Sequence, residues 1–261
     1  KGAREFMEWQ DEAIVLSARR HGESGVIAAL LTREHGRHMG MVRGGAGGAK
    51  RGVLQPGNHV RATWRARLAE HLGHYDVDPL RATAAAVMET PLKLAGLSAA
   101  AAVAEQALPE REPHGRVYDG FVALLDTMTQ ADLGDAWIAA YVRWELGVLT
   151  DLGFGLELGA CAATGQVDDL AYVSPRSGRA VSRAAGAPYR GKLLALPGFL
   201  GGVADPVTNL ADDLAAGLAL TGYFINGHVF GPHGQQPPPA RERFVERVAR
   251  LIRTPIEGVP T

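Results

Sequence analysis

Cysteine is almost missing from this sequence: Cys161 is the single one in 261 residues. That excludes a disulfide framework and fits a reducing compartment. Long apolar runs are missing too, and none approaches the roughly 18 residues a helix needs to cross a bilayer. Net charge is nearly absent, with 27 Lys+Arg against 28 Asp+Glu, so the total predicts no partner. There is no basic leader: Glu8, Asp11 and Glu12 follow Met7 where a signal peptide would place its cations. A cytoplasmic protein with no membrane association is expected. Lys1 to Phe6, ahead of Met7, read as a cloning remnant and are set aside. What is present, 46% hydrophobic and 21% charged residues, rules out a disordered or collagen-like chain and allows one large domain or two modest ones.

Residues 12–78 carry strand signals. Ala13–Ser17 and Val26–Leu31 are short apolar runs separated by a turn with Gly22 and Gly25, and Arg33-Glu34-His35-Gly36 is turn chemistry. Over Arg37–Arg43, Arg37, Met39, Met41 and Arg43 share one parity, with His38 and Val42 on the other. Gly44-Gly45-Ala46-Gly47-Gly48 is expected to be a mobile loop. In Val60–Leu68, Val60, Ala62, Trp64, Ala66 and Leu68 alternate with Arg61, Thr63, Arg65 and Arg67, which predicts a half-buried strand with a cationic outer face and Trp64 in the core. Leu72–Val77 is its expected partner. Five short strands predict a small barrel, with the oligonucleotide-binding (OB) barrel as the candidate. After Pro79 the pattern turns helical. Ala82–Leu108 is alanine-rich with Pro91 near the start of a second helix, and Val117–Met128 and Ala136–Leu152 have helical spacing. Residues 159–190 look irregular, and Asp212–Val229 and Ala240–Ile252 are helical again. The fold class is therefore α+β: a barrel domain over 7–80 and an α-helical domain over 81–255.

The charge is separated along the chain. Residues 33–67 hold Arg33, Arg37, Arg43, Lys50, Arg51, Arg61, Arg65 and Arg67 against one acid, Glu34. Residues 104–160 hold ten acids against Arg111, Arg116 and Arg143. Like charges crowded on a sheet face repel unless an anion visits them. One reading is a solvated arginine face; the other is binding of phosphate backbones, with Arg37, Arg43, Lys50, Arg51, Arg61, Arg65 and Arg67 as the contacts. His38 and His59 would add charge below neutral pH.

Catalytic motifs fail one by one, so no enzyme is expected. A P-loop needs a Gly-Lys-Ser/Thr end, but Gly44 is followed five residues on by Ala49, then Lys50 and Arg51, with no hydroxyl for magnesium. Gly45-Ala46-Gly47-Gly48-Ala49-Lys50 lacks the last glycine of a dinucleotide fingerprint. The pairs His35/His38 and His71/His74 have ligand-like spacing but sit in strand or turn context, where surface histidine is the plainer reading. There is no Gly-x-Ser-x-Gly elbow, and Cys161 has no histidine nearby in sequence.

From about Glu8 to Ile252 the sequence resembles the bacterial RecO family of recombination-mediator and repair proteins. The resemblance is carried by Ala13-Ile14-Val15-Leu16 through His21-Gly22-Glu23, by Leu30-Leu31-Thr32-Arg33-Glu34-His35-Gly36-Arg37, by Val42-Arg43-Gly44-Gly45 and by Leu54-Gln55-Pro56-Gly57 in that order and spacing. It implies an OB barrel followed by an α-helical domain with a small zinc module. Zinc-binding members carry two Cys-x-x-Cys pairs; the matching positions here are Cys161, Thr164, Ser182 and Ala185. One thiolate cannot hold structural zinc, so a degenerate zinc-finger-like loop at 159–190 without metal or other cofactor is expected. Arg176, Arg179, Arg183, Arg190 and Lys192 around that loop either extend a DNA surface or are merely solvated. The resemblance further implies binding of single- and double-stranded DNA, annealing of complementary strands, and partnership with RecR and with the C-terminal tail of single-stranded DNA-binding protein (SSB), so that RecA is loaded on coated strands. A location on the nucleoid would follow. Arg143, Leu146 and Leu149 match the helix that receives the SSB tail, although Arg143 has Glu145 and Asp135 as possible internal partners. An RNA-binding OB protein of translation or RNA metabolism would share the barrel and the charge.

Overall fold

The computed structural model describes residues 7–203 and 209–253; Lys1 to Phe6 lie outside them. The chain forms two compact units, Lys1–Leu133 and Gly134–Thr261.

In the first unit, strands β1 (Met7–His21), β2 (Gly25–Thr32), β3 (Gly36–Val42), β4 (His59–Ala66) and β5 (His74–Arg81) close into a barrel in the order β1-β2-β3-β5-β4. All neighbours are antiparallel except β3 and β5. This is the OB-like arrangement expected. The alternation in β4 is obeyed as far as Ala66: Val60, Ala62, Trp64 and Ala66 join Ala13, Val15, Leu30, Val42, Tyr75 and Val77 in the barrel core, while Arg61 and Arg65 face outward. Leu68, expected on the buried face, lies beyond the strand and is exposed. Length lets β1 serve two neighbours, β4 along its first half and β2 along its second, with a bulge between Val15 and Ser17. The β2–β3 turn needs Gly36, whose φ is +65° and where a Cβ would lie 1.9 Å from the Glu112 carbonyl oxygen.

The glycine-rich stretch is not the wholly open loop expected. Its second half enters a short helix, α1 (Gly48–Val53). The buried Asn58 fixes this helix by donating to the carbonyls of Gly52 (2.9 Å) and Val53 (3.1 Å). Three helices complete the unit: α2 (Thr83–Val87), α3 (Pro91–Ala107) and α4 (Gly115–Thr129). In α3 the small buried face Gly96, Ala99, Ala100, Val103 and Ala104 permits close packing, and α4 buries Val117, Phe121, Leu124, Leu125 and Met128 at helical spacing. Asn58 reaches α2 as well, accepting from the Ala84 amide.

The second unit contains α5 (Trp137–Asp151), a three-stranded sheet of β6 (Leu170–Val173), β7 (Ala180–Ser182) and β8 (Leu194–Ala195), and helices α6 (Arg183–Gly186), α7 (Leu210–Phe224) and α8 (Pro239–Arg253). Stretch 159–190 is thus more regular than its composition suggests, because strands of three or four residues are too short to show a period. Helix α7 begins at Leu210, two residues ahead of the expected Asp212, with Asn209 accepting from the Asp212 amide. It continues as a π-helical turn over Ile225–Phe230. No helix among the described residues is long and apolar enough to cross a membrane.

Candidate nucleic-acid interface

The outer face of β1, β4 and β5 is a ladder of mixed charge. Glu8 pairs across from Arg65, Gln10 from Thr63 and Glu12 from Arg61; on the other side Arg65 faces His74, Thr63 faces Asp76 and Arg61 faces Asp78. Arg65 binds Glu8 through Nε at 2.7 Å and Nη2 at 3.1 Å, which raises the arginine pKa and lowers that of the carboxyl. The expected uniformly cationic face is corrected here. Counting charge along one segment misses acids that neighbouring strands bring alongside.

Other arginines are also engaged. Arg33 binds Asp119 of α4 through two bonds of 2.9 and 3.1 Å, and Arg81 pairs with Asp126 of the same helix. Arg19 pairs with Glu105 of α3. Arg37 is half-buried and donates from Nε to the Leu108 carbonyl at 2.8 Å, so it ties the barrel to the end of α3 and is withdrawn from the set of strand contacts. Three of the ten acids of residues 104–160, Glu105, Asp119 and Asp126, therefore serve the barrel's own cations.

What is left over is concentrated. Among the described residues, Arg43, Lys50, Arg51, Arg61 and Arg67 have no carboxylate partner within 4 Å. Arg43, Lys50 and Arg67 converge with Arg65, His71 and His74 on an open groove of about 680 Å³ between the end of β3, α1 and the β4–β5 hairpin. Thr63, Ala66, Gly73 and Tyr75 line the rest, and Asp76 is the one acid in the lining. Lys50 Nζ is steadied by the Arg43 carbonyl at 3.2 Å, and Arg43 Nη2 lies 3.3 Å from His74 Nε2. Arg43, Lys50 and Arg67 stay unpaired there, with Arg65 held by Glu8 and Asp76 the one acid in the lining, so the groove attracts a polyanion without any base-reading geometry. Of the seven arginines and lysines expected on the interface, the fold brings four into the groove. Arg61 stands apart on the ladder, Arg51 points to another surface, and Arg37 is structural. His71, His74 and Thr63 were missed; the two histidines were visible only as a pair with metal-like spacing.

The other histidines behave differently from their sequence reading. His38 is buried inside the barrel with Nδ1 3.0 Å from the Tyr75 hydroxyl, and edge-on to Trp9, Trp64 and Tyr75. Burial and the nearby Arg111 charge lower its pKa to about 4, so it adds no charge near neutral pH. Burial likewise lowers the pKa of His59, whose Nε2 lies 2.7 Å from the Tyr118 hydroxyl. His35 stacks on Trp9 with ring centres 4.0 Å apart.

In the second unit, Arg143 donates to the Phe199 carbonyl at 2.9 Å and lies over the Phe199 ring, rather than pairing with Glu145 or Asp135. Glu145 is fully buried and bound by Arg241. Leu146 is half-buried, whereas Leu149 is wholly buried and packs the interior of α5 instead of lining a surface. At the degenerate metal positions, Cys161 Sγ accepts from the Ser182 amide at 3.2 Å and lies 3.5 Å from Ser182 Oγ. Burial raises the thiol pKa, but hydrogen bonds from Ser182, Thr164 and the Ala163 amide outweigh it and bring it to about 6. One sulfur with two hydroxyls, and Ala185 as the fourth position, is not a donor set for structural zinc. Among the described residues no three His, Cys, Asp or Glu side chains gather as a metal site.

A five-stranded OB-like barrel with a cationic groove at one edge, followed by helices, defines a class of nucleic-acid-binding architecture. Residues 7–81 match the family model described as Recombination protein O N terminal, and residues 88–237 match Recombination protein O C terminal. The DNA repair protein RecO of Rhodospirillum rubrum is 52% identical over 247 residues, covering 94% of this chain and 98% of the relative. That of Rhodospirillum centenum is 54% identical over 250 residues, covering 95% and 97%. That of Phenylobacterium zucineum is 51% identical over 251 residues, covering 95% and 100%. The chain belongs to the RecO family, a family of DNA repair and recombination.

Proposed function

We propose that this protein is a recombination mediator that binds single- and double-stranded DNA through the barrel groove and anneals complementary strands, acting by binding without catalytic turnover. The observation that carries the reading is the convergence of Arg43, Lys50, Arg65 and Arg67 on one groove. Arginine and lysine there neutralise phosphates and release counterions, which lowers the repulsion between strands brought together. The lining exposes cations and the two imidazoles His71 and His74 but no Phe, Trp or Tyr ring, since Tyr75 is buried, which suits a site that follows backbones rather than bases. The same reading assigns to the helical unit the docking of the SSB tail beside Arg143, with RecR as a partner and RecA loading as the outcome. That docking is supported by the exposed Arg143 side chain on α5.

The test is strand annealing by the purified protein and by the K50E/R67E variant. These two residues are chosen because neither is paired to a carboxylate, whereas Arg65→Glu would also set two acids against each other at Glu8. The variant is expected to lose about tenfold or more of the annealing rate. Undiminished annealing would remove the groove from the mechanism. Competition by RNA of equal length separates the alternative: preference for RNA would favour an RNA-binding role.

A further inference from the structure

Lys50 and Arg51 are neighbours in α1, about 100° apart around the helix axis. Lys50 enters the groove described above. Arg51 enters a second one, of about 540 Å³, on the surface formed by β1, the start of β2 and the β3–β4 connection. Arg20 and Arg51 are the charged residues of its lining, which includes Ser17, Val26, Leu54 and Pro56 and no acid. The two grooves have no lining residue in common, yet the segment 43–56 contributes to both: Arg43 and Lys50 to the first, Gly45, Ala46, Arg51 and residues 54–56 to the second. That segment is therefore a wall with a groove on each side.

The chemistry of the second groove matches that of the first. Arg51 has no carboxylate within 4 Å among the described residues, and Arg20 makes only a long 3.5 Å contact to the Glu23 carbonyl. Both side chains are exposed. Glu105, which contacts the groove residue Ser17, is already taken by Ser17 Oγ at 2.7 Å and Arg19 at 2.9 Å. Two guanidinium groups without a carboxylate partner, in a groove whose remaining lining is uncharged, suit a phosphodiester backbone. A neutral or basic peptide would leave both cations unsatisfied.

We propose that this second groove binds a second single strand of DNA, so that one barrel holds two strands separated by the wall of residues 43–56. The inference rests on the reading of the first groove as a DNA site. Lys50 and Arg51 then stand between the two phosphate backbones. Cations placed there act within a Debye length, about 8 Å at physiological salt, and offset the repulsion that otherwise keeps complementary strands apart. The short helix holds the two side chains about 100° apart, so that each lines a different groove.

The experiment is a binding stoichiometry with labelled oligonucleotides of about eight nucleotides, short enough to occupy one groove, titrated at protein concentrations well above the dissociation constant. Annealing rates are measured alongside. Wild-type protein is expected to bind two oligonucleotides per chain. R20E/R51E and K50E/R67E are each expected to bind one and to anneal about tenfold more slowly, while the combined variant binds none. R20K/R51K keeps the charge and should keep both strands, which separates loss of charge from loss of folding. If R20E/R51E still binds two and anneals as wild type while K50E/R67E loses one, the second groove is refuted and the first stands. If neither pair of reversals changes binding, the DNA reading of the barrel falls with it.

Discussion

Glu145 and Arg241 are the most demanding side chains of the helical unit, because both are buried charges that have only each other and a few polar neighbours. Arg241 Nε and Nη2 reach the two Glu145 oxygens at 2.7 and 2.9 Å, and the Thr221 hydroxyl completes the shell. Glu145→Leu leaves a buried guanidinium unpaired and should cost about 3–5 kcal/mol in urea unfolding, whereas E145L/R241M should cost clearly less. A double variant costing the sum of the E145L and R241M single variants would show that the pair is not coupled. In the barrel, His38 makes a pH prediction. Its pKa is about 4 when folded against 6.5 for the free side chain, so the unfolded chain binds the extra proton. The stability that depends on neutral His38 is fully present above pH 6.5 and is lost as pH falls from there through 4. His59, also lowered by burial, acts in the same direction. Barrel unfolding followed by tryptophan fluorescence should therefore fall in midpoint across that window, and His38→Gln should flatten the fall. A midpoint independent of pH would contradict a buried neutral His38.

At the scale of elements, Asn58 joins three of them: its amide group holds the end of α1, its carbonyl oxygen caps the first turn of α2, and its own strand neighbour His59 opens β4. Asn58→Asp keeps the cap and the shape but points a carboxylate at the Gly52 and Val53 carbonyls. It should destabilise the unit by about 1–3 kcal/mol and speed amide exchange in residues 48–53 ahead of the barrel strands. Uniform exchange across the barrel would mean that α1 does not depend on this tether. Here the sequence was least legible. Composition alone makes 44–48 a loop, since glycine is a poor helix former, and the tertiary anchor that orders the following turn is a single asparagine ten residues later. By contrast β4 was legible residue by residue, because a half-buried strand imposes strict alternation, and α4 was legible through its apolar spacing. The strands β6 to β8 were not, being shorter than any period they might display.

For the whole molecule, charge is the property that position in sequence described least well. The surplus of arginine over residues 33–67 is real, but Glu8, Asp119 and Asp126 return from distant segments to cancel part of it. What survives is a smaller and better defined set at the wall of residues 43–56 and the β4–β5 hairpin. The groove was half legible: Arg43, Lys50, Arg65 and Arg67 stood out as cations, whereas their convergence, and the exclusion of Arg37, required the barrel to close. The central claim is that this groove binds a phosphate backbone, and it is tested most directly by fluorescence anisotropy with labelled single-stranded DNA across a salt series, on wild type and K50E/R67E side by side. With about −0.7 per neutralised phosphate, three or four cations predict a log–log slope of about −2 to −3 for wild type, reduced in magnitude by about 1.4 in the variant. Identical slopes for the two proteins, or binding indifferent to salt, would contradict the claim.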